Sequence, residues 1–144
     1  MWESGEREYV ESARVGRLAT ADGEGRPHVV TVCFAFDDGD IVSAVDEKPQ
    51  GVAPTDLRRC RNIRANPRVS LLVDHYTEDW AELGWVQIRG TAAVLGPDDD
   101  GRGNGVAALA ATYDQYADHD LEGRPLIRID PGSVRSWGAL ERPE

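Results

Sequence analysis

Apolar and polar positions alternate with a period of two in several short segments of this chain, and turn residues or helical spacing separate them. Val15-Gly16-Arg17-Leu18-Ala19-Thr20 reads as a strand, Ala21 to Gly25 as a turn, and His28 to Phe36 as a run of β-formers. In that run His28, Val30, Val32, Phe34 and Phe36 form a bulky face that fills a core. Val29, Thr31, Cys33 and Ala35 form a smaller face that a ligand or partner backbone can approach. Asp37 to Asp40 is a tight turn into Ile41 to Val45, and Val69 to Val73 gives a further strand. Trp85 to Leu95 puts Val86, Ile88, Ala92 and Val94 inward and Gln87, Arg89 and Thr91 outward, with a bulge expected at Gly90. Leu126 to Asp130 and Val134 to Trp137 read as two short closing strands. Helical spacing is confined to residues 3–14, residues 56–65 and a segment after Asp98-Asp99-Asp100 whose stripe is Val106, Leu109, Ala110 and Tyr113.

Six to seven short strands without βαβ alternation, and two to three helices, predict a mainly β fold: an antiparallel β-barrel with peripheral helices. Residues 1–144 are the size of one domain, and 40% hydrophobic content suffices for a core. A barrel this small is filled by its own side chains, so a large ligand is expected on its outside or between subunits. No run of eighteen apolar residues occurs and the N-terminal residues are acidic, which predicts a cytoplasmic protein without membrane contact. Cys33 and Cys60 have neither zinc-ligand nor disulfide spacing and read as buried free thiols, and no metal set is expected.

Charge changes the picture. The chain carries a formal net charge of −10, yet the segment from Lys48 to Arg68 holds the only lysine and five arginines against one acid, Asp56. This basic island asks for an anion. Thr55 or Asp56 is the expected N-cap of the helix at 56–65, Leu57, Cys60 and Ile63 its buried stripe, and Arg58, Arg59, Arg61 and Arg64 its exposed face. Arg58 and Arg59 fall in the first turn, where free N–H groups and the helix dipole already favour phosphate. Taken alone, the run also reads as a solvated basic face. Nucleic acid is disfavoured, because the acidic remainder of the chain repels a long polyanion.

Arg58 to Val73, with its Asn-Pro-Arg-Val-Ser-Leu-Leu core, resembles the pyridoxamine 5′-phosphate oxidase-like split β-barrel flavoproteins. Val15 to Thr20 with Gly25-Arg26-Pro27-His28, Asp46-Glu47-Lys48-Pro49, and Asp79-Trp80 before Trp85-Val86 are similar to the actinobacterial branch that uses the deazaflavin coenzyme F420. The resemblance runs over residues 10–138. It implies a homodimer with cofactor sites at the interface, phosphate held at Arg58 and Arg59 with Asn62 nearby, and a contribution from His28, Val29, Val30 and Thr31. It also implies that Val45, Asp46 and Lys48 lie along the cofactor tail or ring edge, Lys48 as a stabiliser of the ring anion. Trp80 and Trp85 of the second subunit would cover the ring. Gln50 and Gly84 depart from the branch's pattern, and the chain ends without the Arg/Trp-rich terminus of the vitamin B6 oxidases, so that activity is not expected.

The function implied is an F420-dependent oxidoreductase that passes a hydride between the deazaflavin and an electron-poor conjugated small molecule, with no protein nucleophile. The alternatives are an FMN-binding flavin reductase or oxidase of the same fold, and a non-catalytic carrier of flavin, F420 or a haem-like ligand. Without the resemblance, His28 reads as a strand-end surface residue, Trp80 and Trp85 as packing or interface anchors, and Asp74, Glu78, Asp79 and Glu82 as a solvated acidic loop. His75 and His119 look incidental.

Overall fold

A computed structural model describes residues 1–45, 57–117 and 124–141. The order is α1 (Glu6–Ser12), β1 (Gly16–Ala21), β2 (Pro27–Val32), β3 (Ala35–Asp37), β4 (Asp40–Ala44), α2 (Arg58–Ala65), β5 (Arg68–His75), β6 (Gly84–Leu95), α3 (Arg102–Thr112) and β7 (Leu126–Gly138), with a short 3-10 turn at Trp80–Glu82. All seven strands join one antiparallel sheet in the order β2-β1-β5-β6-β7-β4-β3.

β2 and β3 follow each other in the chain yet sit at opposite ends of that order. Only Cys33 and Phe34 separate them, so the sheet curls until its ends nearly meet, as a barrel split along one seam. The single strand expected at His28 to Phe36 is therefore two. The pairing of Val32 with Gly16 ends one ladder, and the pairing of Ala35 with Val42 opens another. Inside the barrel Leu18, Ile41, Leu71, Ile88, Ile127 and Ile129 are fully buried, each contributing roughly 1.5–3 kcal/mol. A second cluster under α3 joins Val42, Leu109, Tyr113, Tyr116 and Leu126.

Three details differ from the sequence pattern. β7 is one continuous strand, because the bulge at the level of Gly90 inserts its extra residue, Gly132, on β7 without ending the pairing. Ala110 faces solvent, and Gly105 takes the contact face of α3, where an added Cβ would lie 2.4 Å from Leu126 Cδ2. α1 is shorter than 3–14, since Ala13 is already extended.

Candidate functional site

α2 lies against the barrel through Cys60 and Ile63, both buried, with Leu57 partly so. Its rotation is fixed by Asn62, itself buried, whose Nδ2 donates to Thr20 Oγ1 of β1 at 3.0 Å. That rotation corrects one expectation. Arg58, Arg61 and Arg64 are exposed, but Arg59 is only 7% exposed and belongs to the docked face. Its Nε is buried and has no hydrogen-bond partner among the described residues. Burying a guanidinium with an unsatisfied N–H costs free energy unless a ligand completes it. The first turn of α2 also lacks an acid, and its N-cap, Leu57, makes no side-chain cap. The caps expected from sequence, Thr55 and Asp56, lie outside the described residues, as do Asp46 and Lys48. An oxyanion suits this end of the helix on two counts: a guanidinium N–H without an acceptor among the described residues, and the sign of the helix dipole. The residues thus fit a phosphate-bearing group.

β2 pairs with β1 so that His28 stands opposite Thr20, the residue that Asn62 holds. The imidazole's pKa is lowered from its ordinary 6.5, first by burial and then by the charges of Arg58 and Arg59. His28 and the arginine pair, thirty residues apart in sequence, are therefore electrostatic neighbours. Val29 and Thr31 lie on the exposed outer face, whereas Val30 packs toward the core and Val45 is fully buried within it. Cys60 is buried too, and burial pushes its thiol pKa upward, which suits packing better than reactivity.

From this corner an open groove of about 570 Å³ crosses the outer face of β1, β5, β6 and β7. Its near end is Pro27 and Thr20, its floor Ala19 and Ala21, and its far end Arg68, Ser70, Arg89 and Ser133. The small floor residues were not singled out by the sequence reading. Their only signal was alternation in β1 between bulky inward Leu18 and small outward neighbours.

The structure does not bring Trp80 and Trp85 to this corner within one chain. They stand at the far end of the β5–β6 hairpin: Trp80 is 71% exposed, Trp85 half-buried and paired in register with exposed Trp137. His75 is not incidental there. Its Nε2–H donates to the Glu82 carbonyl, and its Nδ1 accepts from the buried Tyr9 hydroxyl at 2.7 Å, so it ties the Trp80 turn to α1. Gly84 is explained by close approach, since a Cβ would lie 2.1 Å from the Ala139 carbonyl oxygen.

The family model for pyridoxamine 5′-phosphate oxidase matches residues 5–138. The chain belongs to this family. The seven-stranded antiparallel split barrel agrees with that membership. Over 136 residues the chain is 29% identical to the 5a,11a-dehydrotetracycline/5a,11a-dehydrooxytetracycline reductase of Streptomyces rimosus, covering 90% of this chain and 78% of the relative. Among solved structures, the haem storage protein HutZ of Vibrio cholerae is similar with a TM-score of 0.71 at 19% identity, covering 94% and 95% of the two chains. An F420 reductase is similar with a TM-score of 0.65 at 20% identity, covering 93% and 98%. The two solved relatives carry differently described functions on one fold, so the fold alone does not assign this chain's ligand. Among the described residues, no helix is long and apolar enough to cross a membrane.

Proposed function

We propose that the chain is an F420-dependent reductase acting on an electron-poor, conjugated small molecule, and that it works as a homodimer. The observation that carries the reading is Arg59: a buried guanidinium whose Nε has no partner among the described residues, at the start of a helix, next to Arg58 and His28. A cofactor phosphate supplies the missing acceptor, and charge-assisted bonds of this kind are worth about 1.5–3 kcal/mol. The deazaflavin supplies hydride chemistry when bound. The chain's own residues bind, orient and shield: Arg58 and Arg59 hold phosphate, His28 and Thr31 border the ring, and the Ala19–Ala21 floor admits a flat ligand. The reductase from Streptomyces rimosus supports reduction of a conjugated ring system as the reaction class. The exposed indoles of Trp80 and Trp137 support a second copy that closes the site.

Titration of the purified protein with F420 and with FMN tests the reading. A colourless protein that binds F420 at one equivalent per chain, and sediments as a dimer at micromolar concentration, is the expected outcome. Flavin bands on purification support the FMN reading instead. The haem storage protein of the same fold keeps a carrier role as the second reading, marked by stoichiometric binding without hydride transfer to any acceptor.

A further inference from the structure

Several arginines of this acidic chain are committed. Arg7, Arg17, Arg26 and Arg128 are ion-paired, and Arg14 and Arg102 donate to backbone carbonyls. Among the described residues Arg58, Arg61, Arg68, Arg89 and Arg135 have no such partner, and of these Arg68 and Arg89 line the outer groove. Both are exposed, both line the far end of the outer groove, and among the described residues neither guanidinium has an ion-pair or hydrogen-bond partner. They lie on adjacent strands in diagonal register, since Arg68 faces Thr91 and Arg89 faces Ser70. Diagonal positions on a sheet face are about 7–8 Å apart, within reach of long side chains, so the two charges repel unless something negative lies between them.

Three hydroxyls stand directly across from them, and exposed Arg135, across from Gln87, is diagonal to Arg89. Ser70 stands directly across from Arg89 on one side and Ser133 on the other, and Thr91 stands across from Arg68. Asp130, across from Thr91 on β7, is the acid nearest in the register and is ion-paired with neither arginine. Two guanidiniums and three hydroxyls therefore border one end of a groove whose floor is alanine and glycine. Arg68 on β5 is two strand spacings, about 10 Å, and Arg89 on β6 three, about 14 Å, from β2 and its His28.

We infer that Arg68 and Arg89 form an oxyanion-recognition end, and that the substrate is a flat conjugated molecule bearing a carboxylate or an ionised enol. The inference rests on the proposed function for the identity of the site and adds the substrate's charge. The apolar part lies over Ala19 and Ala21, and the anionic group sits between the two guanidiniums, with Ser70 and Ser133 donating from either side. Planar guanidinium donors match a planar oxyanion bidentately, which a neutral isostere does not reproduce.

The test is equilibrium binding of two probes of equal shape to the full chain, 2-naphthoate and 2-naphthamide, followed by isothermal calorimetry. Wild-type protein is expected to bind the carboxylate at least ten-fold more tightly than the amide. Arg68→Gln and Arg89→Gln should each abolish most of that preference, and Arg64→Gln, on α2, should keep it. Equal affinity for the two probes in the wild type, or a preference that survives both groove variants, overturns the inference. No binding of either probe, with a dimer that Arg89→Gln dissociates, also overturns it and makes the groove a contact between copies. A retained carboxylate preference in a protein that takes up neither F420 nor FMN sustains the anion site and removes the oxidoreductase reading.

Discussion

The hydroxyl of Tyr113 accepts the Phe34 N–H at 3.0 Å and lies 2.8 Å from the Phe34 carbonyl, so one side chain from the end of α3 replaces the sheet partner at the barrel's seam. The same hydroxyl is 3.0 Å from the Arg14 carbonyl, which shares its single proton. Beside it, Ser43 Oγ donates to the Cys33 carbonyl at 2.7 Å. Between them these two side chains serve the residues that no ladder pairs.

Tyr113→Phe therefore strands a buried N–H and a buried carbonyl at one place. The expected loss is about 1–3 kcal/mol of unfolding free energy in urea, with cofactor affinity unchanged. A variant as stable as wild type would show that the seam does not depend on this hydroxyl.

Arg59 carries the opposite balance. Its buried Nε has no partner among the described residues, so Arg59→Met replaces an unsatisfied polar group with an apolar one of similar length. Thermal stability is expected to hold or rise while cofactor binding weakens roughly ten- to hundred-fold, equivalent to about 1.4–2.8 kcal/mol. Arg58→Ala should weaken binding to a similar degree. Arg64→Ala, in the last turn of α2, should change it far less, because it lies away from the dipole's positive end. Equal losses in all three variants would reduce the island to a diffuse field.

His28 gives a pH signature with a definite sign. Its pKa in the free protein is below 6.5, so the unfolded chain binds the proton more readily and His28 lowers stability as pH falls through 6.5. A bound phosphate neutralises Arg58 and Arg59 and raises that pKa. Binding is then coupled to proton uptake, and affinity should increase as pH falls from the bound-state pKa toward the free-state one. NMR titration of the His28 ring with and without cofactor checks this; a bound-state value equal to or below the free one would contradict it.

Gly84→Ala tests the close approach at the base of the hairpin that presents Trp80. The added Cβ would overlap the Ala139 backbone oxygen at 2.1 Å, and backbone has to move to relieve it. A loss on the order of 1–3 kcal/mol is expected in chemical denaturation, as for other overpacked sites. Tryptophan emission should change with it, because Trp80 and Trp85 flank the displaced segment.

The inward and outward parity of β1, β5 and β6 was legible because one face of each strand is buried and period two is unambiguous there. The break at Cys33 and Phe34 was not, since its cause is Tyr113, 79 residues away from Phe34, and β-propensity is uninterrupted across it. The place of Arg58 and Arg59 in the first turn of α2 was legible from helical spacing. The burial of Arg59 was not, because helix phase is set by the tertiary bond from Asn62 to Thr20, and an arginine on a docked face breaks the polar-outside pattern. Likewise the role of His75 depends on Tyr9 and Glu82, which only the folded chain brings to it.

The central claim is that the start of α2, completed by the phosphate of a deazaflavin, is the cofactor site of a reductase. Parallel titration of wild-type and Arg59→Met protein with F420 and FMN addresses it most directly. The account expects tight, one-per-chain binding of F420 by wild type, weaker binding of FMN, and a ten- to hundred-fold loss of F420 affinity in the variant without loss of fold. Tighter binding of FMN than of F420, or F420 affinity indifferent to Arg59, would contradict it.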